Sequence, residues 1–164
     1  VGRTGTLYCC EQYGVKPDVL TSAKGLGGGL PVGACLCTER LGAVLSKGMH
    51  GSTFGANPVV CAGALQVLER VAQPGFLKTV REKGAYLRRG LEKLPEIGEV
   101  RGMGLMLGAA LKKGAAAEAA AACVEKGLLV LTAKTLLRFL PPLTITYEEL
   151  DKGLAILAEV LKNL

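Results

Sequence analysis

Histidine is nearly absent from this chain, aromatic residues are few, and no apolar run reaches the length of a membrane span. Each scarcity removes a class of function. His50 is the only histidine among 164 residues. The six cysteines, Cys9, Cys10, Cys35, Cys37, Cys61 and Cys123, contain no CxxC pair, and neither Cys9-Cys10 nor Cys35-x-Cys37 has the spacing of a zinc site. No metal centre is expected, and small buried thiols in a reducing cytoplasm account for the sulfur. Aromatics make up 4% of the residues, so base-stacking platforms are scarce. The net charge of +6 comes from scattered lysines and arginines. This favours a small anionic ligand over nucleic acid. Gly, Pro or charge interrupts the apolar runs well short of the ~20 residues that cross a bilayer, which predicts a soluble protein with no membrane partner. There is no internal repeat and no GxxxxGK(S/T) loop.

The chain opens on Val1-Gly2-Arg3-Thr4-Gly5, with neither an initiator Met nor a charged-then-apolar leader, and reads as the interior of a longer polypeptide. With 49% hydrophobic residues it has the material for a sizeable core. Val19 to Ala23 and Val32 to Cys37 read as short buried strands, and Glu39 to Ser46 as a short helix. Asn57-Pro58 joins a favoured N-cap to a proline at the first helical position, predicting a helix to about Ala72. Gln73-Pro74-Gly75 punctuates the chain. Beyond it Leu77, Val80, Leu87, Leu91 and Leu94 recur at helical offsets, with Gly84 filling the gap. Short strands are expected around 99–101, 105–111, 128–131 and 136–140, with an alanine-rich helix over 115–126. The box Thr146-x-x-Glu149 opens a last helix bearing Leu150, Leu154, Leu157 and Leu161 on one face. The break at Pro74-Gly75 divides 1–75, the end of a larger α/β domain, from 76–164, a smaller α+β domain.

The richest segment is Thr21-Ser22-Ala23-Lys24-Gly25-Leu26-Gly27-Gly28-Gly29-Leu30-Pro31. A lysine at the end of a strand, backed by bare glycine backbone, can be buried and aimed at a ligand, where loss of water makes its amine a nucleophile. Taken singly it reads as a surface lysine, and the glycines as a phosphate cradle of a nucleotide binder. Ser52 and Thr53 lie between glycines just before a helix, where a hydroxyl and free N–H groups suit a phosphate oxygen or plain loop and N-cap chemistry. Arg138 stands in an apolar run that ends at Pro141-Pro142. Its planar fork suits a carboxylate ligand, or an ion pair with Glu or Asp.

Three further blocks sharpen this reading: Glu11-x-Tyr13-Gly14-Val15-Lys16-Pro17-Asp18, His50 through Pro58, and Val100-Arg101-Gly102-Met103-Gly104-Leu105-Met106. Together with Gly2-Arg3-Thr4-Gly5, the segment around Lys24, and Leu137-Arg138-Phe139-x-Pro141-Pro142-Leu143, they resemble the pyridoxal-phosphate-dependent class III aminotransferases in order and spacing. The resemblance implies an α/β chain of fold type I: the C-terminal part of the large cofactor-binding domain plus the small C-terminal domain of a homodimeric enzyme. It implies that Lys24 is the Schiff-base lysine and proton carrier. It also implies that Thr53 contacts the cofactor phosphate of the other subunit, and that Arg138 binds the substrate α-carboxylate. Arg3 and Arg101 order turns, and His50 has no catalytic part. The small-molecule substrates implied are an ω-amino donor, most like N-acetylornithine, with succinylornithine and ornithine as the alternatives, and 2-oxoglutarate.

Gln12, Ala56 and Lys134 depart from the family's usual histidine, glycine and glycine-rich loop. The family's acidic partner of the pyridine nitrogen, its ring-stacking aromatic and its phosphate loop lie upstream of the motifs seen here. The chain alone is therefore expected to be inactive, and a second reading makes it a non-catalytic dimerisation or scaffold module.

Overall fold

The computed structural model describes residues 1–164. In chain order its elements are β1 (Val19–Ser22), β2 (Ala34–Cys37), α1 (Glu39–Gly42), α2 (Pro58–Val71), α3 (Pro74–Glu92), β3 (Ile97–Met103), β4 (Met106–Leu111), α4 (Ala116–Glu125), β5 (Leu131–Ala133), β6 (Leu136–Phe139) and α5 (Tyr147–Lys162). Short 3-10 turns cover Cys9–Tyr13 and Lys24–Gly27. Two units result: Val1–Gly2 with Thr6–Leu77, and Arg3–Gly5 with Lys78–Leu164.

In the first unit β1 and β2 pair antiparallel, from Val19 opposite Cys37 to Ser22 opposite Ala34. The apolar composition of these strands predicts burial, yet of their side chains only Ser22 is buried and Leu20 half-buried. A two-stranded ribbon has no second layer to bury against. The helix expected over 39–46 stops after a single turn at Gly42. It buries no side chain, so nothing offsets the cost of nucleating it. By contrast α2 starts as its chemistry dictates: Pro58 is its first residue, and the Asn57 side chain accepts from the Val59 N–H at 3.0 Å. Pro74, read as punctuation, instead opens α3 directly after α2 ends, as a first-turn proline allows.

The second unit is built on a four-stranded antiparallel sheet in the order β3-β4-β6-β5. Alternation along β4 and β6 turns Leu107, Ala109, Leu137 and Phe139 to one face, all buried. The helices add Val80, Leu87 and Leu91 from α3, Ala119 and Cys123 from α4, and Leu150, Leu157, Val160 and Leu161 from α5. The capping box forms at the start of α5, where Thr146 Oγ1 accepts from the Glu149 N–H at 3.1 Å and Glu149 Oε2 accepts from the Thr146 N–H at 2.8 Å. The strand expected from Leu128 begins only at Leu131. Gly127 takes a left-handed φ of 83°, and the Leu128 N–H donates to the Cys123 carbonyl at 2.8 Å, so this stretch caps α4.

All six cysteines are free, and only Cys123 is buried; Cys9, Cys35 and Cys37 are exposed. The expectation of buried thiols is met at that one position. No helix is long and apolar enough to cross a membrane.

Candidate active site

Lys24 lies in the connection between β1 and β2. Its backbone has φ 54°, a left-handed conformation costing an L-residue roughly 1–2 kcal/mol. The surrounding turns hold it there: the Leu26 N–H donates to Ala23 O at 3.1 Å, Gly28 N–H to Gly25 O at 3.3 Å and Leu30 N–H to Gly27 O at 3.0 Å. Leu26 and Gly27 are buried and form the floor of the loop. The loop sits tightly on α2. A Cβ on Gly28 would come within 2.8 Å of Val67 Cγ2, and one on Gly63 within 2.6 Å of Leu30 Cδ1. The Lys24 side chain, expected to be buried, is exposed. The glycines around it have no side chains to cover it, and the ribbon it joins has no second layer.

The loop before α2 is exposed throughout, with Phe54 at 81%. Ser52 Oγ accepts from the Gly55 N–H at 2.9 Å and is thereby committed to the turn. The hydroxyl of its neighbour Thr53 has no intramolecular hydrogen bond. Ala56, where glycine is usual, stands at φ 57°. His50 is exposed in the same loop.

Arg138 lies on β6, directly opposite Gly108 on β4 and Leu131 on β5. Because Leu137 and Phe139 face the core, Arg138 points to the opposite face of the sheet. It is half-buried there and makes no ion pair. Gly108 has no side chain of its own there, and Leu136 packs over it: a Cβ on Gly108 would stand 3.2 Å from Leu136 Cδ1. On the far side of Gly108, in the same rung, lies Arg101 of β3. Glu99 takes up this second guanidinium in a two-pronged pair, Nε to Oε1 at 2.7 Å and Nη2 to Oε2 at 2.6 Å. The pairing holds the Glu99 carboxyl below its ordinary pKa and Arg101 above its own. Arg101, read from sequence as ordering a turn, is occupied by its strand neighbour, leaving Arg138 as the free guanidinium of the rung.

An apolar cavity of about 310 Å³, lined by Leu87, Phe139, Ile145, Leu150, Leu154 and Leu157 among others, lies on the core side of the sheet. Arg138 faces the other way, so the cavity is no part of its site. No group of three or more His, Cys, Asp or Glu side chains is placed to hold a metal ion. Lys24 and Thr53 belong to the first unit and Arg138 to the second.

The geometry thus offers a free amine on a glycine-packed turn, a free hydroxyl ahead of a helix and an unpaired guanidinium on an open sheet face. The family model for aminotransferase class-III matches residues 1–161. The chain belongs to the class-III aminotransferases. It is 47% identical over 165 residues to the acetylornithine aminotransferase of Haemophilus ducreyi, covering the whole of this chain and 42% of that protein. The crystal structure of N-acetylornithine aminotransferase from Stenotrophomonas maltophilia superposes with a TM-score of 0.87 at 38% identity, over 99% of this chain and 44% of its own. Ornithine aminotransferase from Toxoplasma gondii gives 0.89 at 30% identity, over 99% of this chain and 41% of its own. The chain therefore spans about two-fifths of the length of the relatives it matches, and its fold is that part of the fold type I aminotransferase architecture.

Proposed function

We propose that the protein carrying this chain is a cytoplasmic, homodimeric, pyridoxal-phosphate-dependent aminotransferase. It moves the ω-amino group of N-acetylornithine to 2-oxoglutarate, a step of arginine biosynthesis. The observation that carries this reading is the free ε-amine of Lys24, presented by a left-handed backbone that a glycine loop and α2 lock in place. The donor set suits the cofactor: Lys24 would hold its carbonyl carbon, and the free Thr53 hydroxyl would donate to a phosphate oxygen of the cofactor held by the other subunit. When bound, pyridoxal phosphate supplies an aldehyde and an electron-accepting ring.

The rest of the chemistry falls to the chain. The Lys24 Nζ would take a proton from the amine-bearing substrate carbon and deliver it to the carbon on the other side of the nitrogen, acting as base and then acid. The Arg138 fork grips the substrate carboxylate through two charge-assisted hydrogen bonds, which fixes that end of the substrate. Exposed apolar residues of the first unit, Val44, Leu45, Phe54, Val59 and Leu65, support a homodimer that covers them.

Solved acetylornithine enzymes stand at 38% and 34% identity and ornithine enzymes at 34% and 30%, at nearly equal TM-scores, so the donor is argued from the curated relatives at 47% identity, which are acetylornithine aminotransferases. The test is glutamate formation by the full-length protein from 2-oxoglutarate with N-acetylornithine, succinylornithine or ornithine. The expected kcat/KM is at least ten-fold higher with N-acetylornithine. Equal or better use of ornithine would overturn the donor, and no glutamate from any of the three would overturn the activity.

A further inference from the structure

Arg3 belongs to the second unit, far in sequence from everything it touches there. Its backbone carbonyl accepts from the Leu105 N–H at 3.0 Å, and its Nη1 donates to the Leu105 carbonyl at 3.1 Å, so both backbone groups of Leu105 are held by one residue. The same Nη1 also donates to the carbonyl of Pro141. Leu105 is fully buried and immediately precedes β4; Pro141 lies just beyond the end of β6. One guanidinium therefore ties the entry of β4 to the exit of β6, three residues after Arg138.

The clamp is seated in backbone packed too closely for side chains. A Cβ on Gly104 would stand 2.6 Å from Arg3 O, and one on Gly84 of α3 would stand 2.3 Å from Gly104 O. From the other side Arg81 of α3 donates to the carbonyl of Gly5, and a Cβ on Gly5 would meet Arg81 Cγ at 2.3 Å. The segment from Arg3 to Gly5 is thus gripped between α3 and the β3–β4 turn. The half-buried guanidinium of Arg3 has a lowered pKa because burial penalises its charge. A buried cation satisfied by carbonyls at two strand ends has little freedom to shift.

We infer that Arg3 is a positioning residue for substrate recognition, fixing through the ends of β4 and β6 the place from which Arg138 reaches the substrate carboxylate. The inference rests on the reading of Arg138 given above. Arg3 itself touches neither substrate nor cofactor; loosening β6 lets the Arg138 fork drift, which weakens carboxylate binding while leaving the amine chemistry at Lys24 intact.

The test compares two amines in single-turnover reactions of the full-length enzyme: N-acetylornithine, and N-acetyl-1,4-diaminobutane, which lacks the carboxylate. Arg3→Gln is expected to raise the half-saturating concentration of N-acetylornithine at least ten-fold, with the limiting rate held within about three-fold, and to leave kcat/KM for the diamine within two-fold of the parent. In an Arg138→Gln background the same change should add nothing, since its route is removed. Equal losses on both amines, or no loss on either, would overturn the inference. If Arg3→Gln does not fold, Arg3→Lys, which keeps the charge on a shorter side chain that stops short of the place Nη1 holds, decides by the same comparison. If Arg138→Gln itself fails to separate the two amines, the assigned role of Arg138 fails; if it separates them and the Arg3 variants do not, only the positioning role does.

Discussion

Two of the three positions read from sequence as departures from the class-III pattern stand at left-handed backbone: Ala56 at φ 57° and Lys134 at φ 55°. Glycine takes that conformation freely, whereas an L side chain strains against its own carbonyl. Lys134 is the first of two residues joining Ala133 to Leu136 in the β5–β6 hairpin, a place where the turn favours glycine. Lys134→Gly should therefore stabilise the protein by about 0.5–1 kcal/mol, read as a rise in urea midpoint at unchanged m-value. Lys24 carries the same strain at φ 54°, but there the amine is the point of the residue. At Arg138 the fork matters as well as the charge. A lysine keeps the charge and loses the two-pronged grip, so Arg138→Lys should raise KM for N-acetylornithine by roughly 10- to 100-fold, the size of one charge-assisted hydrogen bond of about 1.5–3 kcal/mol. An unchanged KM would remove Arg138 from the substrate site.

The helices show how much of the fold the sequence carries in local chemistry. Asn57-Pro58 and the Thr146–Glu149 box are complete instructions, and α2 and α5 begin where those residues say. Gly84, read only as a gap in an apolar stripe, has a stronger cause: α3 meets the β3–β4 turn backbone to backbone at that residue. No periodicity discloses such a contact, because its partner is distant in sequence. Gly84→Ala should accordingly cost about 1–3 kcal/mol, where helix propensity alone predicts a gain of about 1 kcal/mol. The sign of the change in thermal midpoint decides between them. At the start of α5, hydrogen bonds from the backbone and side chain of Thr146 hold the Glu149 carboxyl below its ordinary pKa, with a further contribution from Lys83. A carboxyl depressed on folding stabilises above its unfolded pKa, and that contribution is lost as pH falls through the folded value. Glu149→Gln should be less stable than the parent near neutrality, and the gap should close in acid; a gap independent of pH would contradict this account of the cap.

The two units differ in what sequence alone discloses. In the second, alternation along β4 and β6 and the stripes of α3 and α5 name the core residues, because each has a partner layer within the same unit. In the first, apolar β1 and β2 read as buried and are open, since their burial depends on surfaces this unit does not provide. Lys24, Thr53 and Arg138 could be picked out by motif, whereas the clamp by Arg3 could not, because its acceptors are backbone carbonyls and leave no trace in residue type. A relative's length more than twice that spanned here makes the full-length protein the proper object of test. The most direct measurement is to reduce the full-length, cofactor-loaded enzyme with borohydride and map the modified peptide. The account predicts the cofactor mass on Lys24 alone, with loss of both label and at least 10³-fold of turnover in Lys24→Ala. Label on any other lysine, or turnover that survives the substitution, would contradict it.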